Sequence, residues 1–420
     1  MRTPIPLALL TLATLFSRAD AQTYDTNNVV VQTFVGSGFS GYVDGQGTQT
    51  MFSNPLAIAA DTSSNLFVMD YYNFRIRKIT PDGTVSTFAG GGPGSLPGYG
   101  TNVSLPSAVT MTIDHSNTLY LVEYPSGTAL LRIGSDGYVS RILLPGLTGG
   151  QAHEGICVDS GNNVYISDFH GNKIYRYRTN GVLEVFAGSG NSGSIDGNGI
   201  FTSFTSPSSL AADSANNIYV WDSGNQLIRR INQNRDVTTI AGNRGGTGSA
   251  DGVGTNATFY GISAMCSDGV GNIYLAAWSS TGGSSIRRLS PTTNVTTVAG
   301  SFTNNGYANG SGSIARFDFG NEGICISQGM IFVADAGNQR IRQITFNPTA
   351  PPVSPANLGL RIYPGLQITG TVGRNYRIES STDLSNWTTE TTLFLTRTPY
   401  PWIDEQAAAQ KKFYRAFLLP

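Results

Sequence analysis

The chain has 420 residues, 51 of them glycine, with only 13% charged side chains and a formal net charge of −1. That composition excludes a coiled coil or long-helix protein, and the lack of net basic charge argues against a nucleic-acid partner. With only 3 histidines and 3 cysteines, metal and thiol chemistry have few residues to work with, while the many Tyr and Phe can fill a large core.

The first element is a leader. Arg2 precedes an apolar run from Leu7 to Phe16, and Ala19-Asp20-Ala21 stands before Gln22. A positive start, a short apolar stretch and a small-residue ending read as a secretory signal peptide over residues 1–21. The run is too short to cross about 30 Å of hydrocarbon. No later stretch reaches transmembrane length, so the mature chain is expected outside the cytoplasm: secreted, periplasmic or on the cell surface.

Residues 22–346 then carry a repeat. A phrase of alternating apolar residues, an Asp, a turn, an Asn-led strand, an acid, a turn and an Arg-bearing strand recurs. It appears at 57–79, 110–133, 155–177, 210–231, 263–289 and 323–344. Its anchor is Asp61, Asp114, Asp159, Asp213 and Asp268, with Ser327 in the last copy. The period-2 alternation over short runs predicts strands, and nothing shows a helical period. A fourth strand follows most copies, at 84–90, 182–188, 237–242 and 295–300. The last copy lacks one, but VVVQTFVG at 29–36 supplies a match at the other end. A four-stranded unit repeated in this way predicts an all-β, six-bladed β-propeller closed by its N-terminal strand. Closure removes the open edge that invites pairing with other chains.

The repeat resembles the NHL-repeat family of propellers. The matching pieces are Asn65 to Asp70 with Asn73 and Ile76, Asn217 to Asp222 with Asn225 and Ile228, and Ile331 to Asp335 with Asn338 and Ile341. The phrases GQGTQTMFSNP, GNGIFTSFTSP and GVGTNATFYG between blades look like those of secreted bacterial members. The resemblance implies the fold over roughly 29–346; one propeller scaffold hosts many functions. Beyond it, residues 347–356 are a Pro-rich linker, and 357–420 alternate like five or six strands without the repeat, a small C-terminal β-module.

Most constellations in the repeat have a structural reading. The acids closing the second strand, Asp70, Glu123, Asp168, Asp222 and Asp335, are expected to accept backbone N–H groups in the turn that follows. Asn73, Asn225 and Asn338 stand three residues on, as such turns use. GSGFSG (36–41) and GSGNSG (188–193) satisfy G-x-G-x-x-G, but more turn residues follow, so no helix N-terminus awaits a pyrophosphate. Asp44, Asp196 and Asp251 each bring one carboxylate to an Asp-Gly-x-Gly turn, too few oxygens for Ca²⁺. Cys157, Cys266 and Cys325 share a slot that holds Ala59, Thr112 and Ala211 elsewhere, which predicts buried free thiols on separate blades. The arginines of the third strand, Arg77, Arg229, Arg287 and Arg342 among them, are expected to flank neighbouring acids at little individual gain.

Glu154 and Glu322 are the unusual pair. They open the inner strand in HEGICVD and NEGICIS, where other blades carry Leu56, Ser208 and Ser263. Blades three and six lie opposite in a six-fold ring, so both carboxylates are expected at the mouth of the central channel. Propeller lactonases of the gluconolactonase type look similar here, with a metal-ligating Glu in an E-G phrase. This chain departs from them in lacking a matching Asn, Asn and Asp set. Amidating lyases of this fold hold zinc with several histidines; His153 stands in a comparable place, while His115 and His170 fall in other turns. The expected role is therefore binding: a monomeric secreted module that requires no cofactor and presents loops to a protein or glycan partner. The alternative is a hydrolase or lyase whose divalent cation (Ca²⁺, Zn²⁺ or Mn²⁺) is held by Glu154 and Glu322, with His153 as acid or base.

Overall fold

The computed structural model describes residues 28–149, 155–318, 323–346, 365–368, 371, 374–395, 400–403 and 413–419. The expected leader over 1–21 and the linker over 347–356 lie outside the described residues. These fall into two compact units, one within 1–349 and one within 350–420.

The first unit is a β-propeller. Six antiparallel sheets follow one another along the chain, each built of four main strands. Their inner strands are Pro55–Ala60, Ala108–Ile113, Ile156–Val158, Pro207–Ala212, Gly261–Ser267 and Ile324–Ser327. Each packs beside the next, and the last packs beside the first, which closes the ring. We number the blades 1 to 6 by these strands. Blade 6 takes its outer strand from the N-terminus: Val29–Val35 pairs with Arg340–Phe346, from Val29 opposite Phe346 to Val35 opposite Ile341. The fourth strand of blade 2, Tyr138–Leu143, was not evident from the sequence, because YVSRIL lacks the Ala-Gly ending of the others.

The core lies between blades, since each sheet is apolar on both faces. One hydrophobic cluster fills each of the six junctions: Phe67 and Met69 meet Leu121 and Leu131 between blades 1 and 2, and Val31 and Ile344 meet Tyr274 and Ile286 between blades 6 and 5. Blade stacking thus supplies the burial that no single sheet achieves alone.

The Asp anchors make the turns between first and second strands. Asp61 accepts from the backbone N–H of Ser63 and Asn65 at 2.9 and 2.8 Å, and from the Asn65 side chain. The left-handed residues of these turns tie neighbouring blades. Asn117, Asn162 and Asn216, all at φ 60°, accept from the backbone N–H of Thr62, His115 and Ser160 on the preceding blade. Asn tolerates that conformation better than other residues with a Cβ. His115 is therefore engaged in a blade junction.

The third-strand arginines correct the expectation of weak surface pairs. Arg77, Arg229, Arg287 and Arg342 are each 0% exposed. Arg229 reaches Asp222 at 2.8 Å and Asp196 at 2.7 Å, and bonds the carbonyls of Ser203 and Ile195. Arg77 repeats this with Asp70 and Asp44, and Arg342 with Asp335 and the Asn309 side chain. Beneath the guanidinium groups lie the buried rings of Phe52, Phe204, Phe259 and Phe317, at 4.7 to 5.2 Å. The cause is the short strand that Asp44, Asp196 and Asp251 introduce: Gly45–Gln46, Gly197–Asn198 and Gly252–Val253 clip onto the outer strands of blades 1, 4 and 5 and cover the arginines.

The acids also differ in detail from the expectation. Asp70, Asp222 and Asp335 accept from Asn73, Asn225 and Asn338 as expected, but their backbone donors are Ser53, Thr205 and Asp318, in the loop before the inner strand. Burial pushes these carboxyls above their usual range, against the pull of those donors and of the arginine. Asp168 in blade 3 does bond the turn that follows, through the Gly171 N–H, and also holds Thr148.

The second unit contains the described strands Gly365–Ile368, Asn375–Ser381, Thr388–Phe394, Tyr400–Ile403 and Phe413–Leu418. Asn375–Ser381 lies between Thr388–Phe394 and Phe413–Leu418, and Gly365–Ile368 pairs with Tyr400–Ile403. Tyr376, Ile378 and Leu395 form its buried cluster.

Candidate binding site at the channel mouth

The inner strands converge on the propeller axis, and where they begin they leave a cavity of about 220 Å³. All six blades line it: Ala57 and Ile58 from blade 1, Val109 to Met111 from blade 2, Gly155 and Ile156 from blade 3, Ser208 to Leu210 from blade 4, Gly261 to Met265 from blade 5, Gly323 and Ile324 from blade 6. Side chains from the ends of the second strands complete the wall, namely Phe169, Trp221, Ser223 and Trp278, with Tyr260 beside them.

The local geometry is tight. Ser167 Oγ donates to the Ser208 carbonyl at 2.7 Å and accepts the Gly155 N–H at 2.6 Å, which joins blades 3 and 4 at the mouth. A Cβ on Gly155 would stand 2.1 Å from that carbonyl, so only glycine fits. Trp221 is buried against Phe259, edge to face at 5.7 Å. Trp278 and Tyr260 meet edge to face at 4.9 Å and 71°, and Tyr260 is 38% exposed.

Chemically, the wall is apolar with a few hydroxyls. No Asp, Glu, His, Lys, Arg or Cys is among the described residues lining it, and no group of three or more His, Cys, Asp or Glu suited to a metal exists among the described residues. Apolar pockets with a few placed polar groups are the usual form of a small-molecule site.

Glu154, Glu322 and His153 lie outside the described residues. What is described is their surroundings in sequence: Gly155 and Gly323, which directly follow the two glutamates, both line the cavity. So do Ser208 and Ser263, which hold the glutamate slot in blades 4 and 5. His170 is exposed and sits against Phe169, edge to face at 5.2 Å. Sequence reasoning missed the aromatic wall: Phe169 and Trp278 share the slot after the second-strand acid, but Trp221 and Tyr260 come from other positions of the repeat, so no single motif marks the four.

The cysteines are all free. Cys157 and Cys325 are buried, whereas Cys266 is half-buried rather than fully buried as expected. Burial pushes all three thiols well above their usual range, which leaves them unreactive as nucleophiles. Thiol titration of the denatured protein without reductant is expected to count three per chain; a single thiol would mean that two had paired.

No family model matches the chain, and no curated protein does. Solved structures do. A protein of unknown function from Bacteroides thetaiotaomicron is 19% identical, with a TM-score of 0.59 over 76% of this chain and 76% of that one. An auxiliary nutrient binding protein from the same organism is 19% identical, with a TM-score of 0.58 over 76% of each chain. A gluconolactonase from Xanthomonas campestris is 13% identical, with a TM-score of 0.50 over 78% of this chain and 93% of that one. At such identities the likeness establishes the propeller fold.

Proposed function

We propose that the protein is an extracytoplasmic NHL-like propeller that binds a ligand at its channel mouth without transforming it. The observation that carries this reading is the chemistry of the cavity wall: aromatic and aliphatic side chains with serine hydroxyls, and no titratable carboxylate, imidazole or amine among its described residues. Such a wall can hold and orient a molecule, and the phenol of Tyr260 is the one proton-transfer group among its described residues. The buried arginines Arg77, Arg229, Arg287 and Arg342 and their partners are engaged inside their blades. The nutrient-binding neighbour of the same fold is in keeping with this role. In this reading residues 1–21 are a signal peptide, 22–346 the monomeric propeller, 347–356 a linker and 357–420 an appended module, with a protein or glycan as partner. No helix among the described residues is long and apolar enough to cross a membrane.

A second reading keeps the divalent-metal hydrolase or lyase, with Glu154 and Glu322 as ligands and His153 as acid or base. One observation favours it: the residues directly after both glutamates line the same cavity. Incubating the protein with sugar lactones and with neutral saccharides, then recovering them, separates the two. Binding predicts recovery of every compound unchanged beyond the rate without protein. Lactone opening that chelation abolishes would sink the binding reading.

A further inference from the structure

We propose that the blade 5 wall of the mouth is an aromatic corner that seats the ring of a neutral saccharide, with Tyr260 and Trp278, 71° apart, as its two sides. This rests on the binding reading and names the ligand class of that site.

Blade 5 departs from the repeat at the mouth, in several linked ways. Blades 1, 4 and 6 close the second strand with a buried Asp, but blade 5 has Ala277 there. The position of Tyr260 is held in blades 1 and 4 by Ser53 and Thr205, whose backbone N–H groups bond that Asp. The next residue there is left-handed, Asn54 at φ 59° and Ser206 at φ 53°, which kinks the chain before the inner strand. Blade 5 has Gly261 instead, outside the left-handed region, and its inner strand starts earlier. Pairing in blades 1 and 4 begins at Pro55 opposite Asp70 and at Pro207 opposite Asp222; in blade 5 Gly261 pairs with Trp278 beyond the equivalent pair, Ile262 with Ala277. The sheet therefore reaches one residue pair further toward the mouth and carries Trp278 and Tyr260 with it. The Trp278 ring lies across Gly261, where a Cβ would come within 2.3 Å of it. Trp278 fills a slot that Tyr71, Tyr124 and Phe169 hold in blades 1 to 3, but Tyr260 stands where blades 1 and 4 carry Ser53 and Thr205; a repeat that gives up its buried Asp and gains this ring on a cavity wall marks a functional position.

The chemistry of the wall selects the ligand. A sugar ring has a face of C–H bonds, polarised positive, and a rim of hydroxyls. The C–H face seats on the negative face of an aromatic ring, and the rim needs neutral hydrogen-bond partners, which Ser208, Ser209 and Ser223 of the adjoining blade 4 wall can supply. An acidic sugar would lose its hydration with no cation among the described lining residues to replace it.

The test uses the full mature chain, with neutral gluco-, xylo-, manno- and galacto-oligosaccharides, an oligogalacturonate and an apolar hexapeptide as probes, by calorimetry and tryptophan emission. At least one neutral oligosaccharide is expected to bind with one site per chain. Tyr260→Ala should weaken it by about tenfold or more, as for an aromatic anchor, and Tyr260→Phe by no more than about threefold, because the ring is kept. Trp278→Ala should act likewise; should it fail to fold, the more exposed Tyr260 pair of variants carries the test alone. Failure of every neutral oligosaccharide to bind overturns the proposal, as does equal binding by the native protein and Tyr260→Ala. If the uronate or the peptide binds instead and Tyr260→Ala loses it, the saccharide class falls while the mouth stands as a binding seat. Turnover of a probe would bring down the binding reading itself.

Discussion

Asp222→Ala is expected to destabilise the propeller by about 3–5 kcal/mol, the usual cost of leaving a buried charge without its partner. Arg229 is fully buried, and Asp222 is its inner carboxylate at 2.8 Å. The same oxygens hold the Thr205 amide and the Asn225 side chain, so the substitution also orphans two donors inside the blade. Asp196, the second carboxylate, is half exposed and screened by solvent. Urea unfolding followed by circular dichroism measures the loss. Replacing both partners with apolar residues, Asp222→Leu with Arg229→Met, should recover much of it, since no buried charge remains. A loss below about 1 kcal/mol for the single substitution would place this pair with ordinary surface salt bridges. Blade 5 already shows how the fold manages without the inner acid: Arg287 keeps Asp251 and the carbonyls of Thr258 and Ala250.

Removing residues 23–36 is expected to abolish the soluble monomer. Val29–Val35 is the outer strand of blade 6, and Val29, Val31 and Val35 are buried in the junctions on either side. Its loss exposes the edge of Arg340–Phe346 and the apolar faces of two neighbouring blades. Open edges of this kind pair with other chains. Size-exclusion chromatography and thermal melting are the measurements, with aggregation or a broad, low-temperature transition expected. A monomeric deletion variant that melts as the native chain does would refute ring closure by this strand.

The fold was legible because each blade states itself in sequence. The alternation of Leu66 to Asp70 and the Asp61–Asn65 turn recur often enough to be counted, and the unmatched strand at Val29 announced the closure. The buried arginines were not legible. Arg77 and Arg229 have carboxylate partners both 7 and 33 residues away in sequence, and a surface ion pair and a sealed one have the same composition. Only the covering strand at Gly45–Gln46 and its counterparts decide which it is. The mouth was half legible: Ser208 and Ser263, in the slot that Glu154 and Glu322 hold in blades 3 and 6, line the cavity, while Tyr260 and Trp278 looked like ordinary strand residues. Their role depends on a register that reaches one pair further in blade 5, which follows from Gly261 in place of a left-handed Asn or Ser.

The most direct measurement of the proposed binding seat is the metal content of the protein, purified without chelator and analysed for divalent ions per chain. A neutral seat predicts no stoichiometric metal and a melting temperature indifferent to Ca²⁺, Zn²⁺ or Mn²⁺. A tightly held ion on each chain, lost together with its thermal stabilisation in Glu154→Gln with Glu322→Gln, would contradict it and make the channel mouth a metal centre.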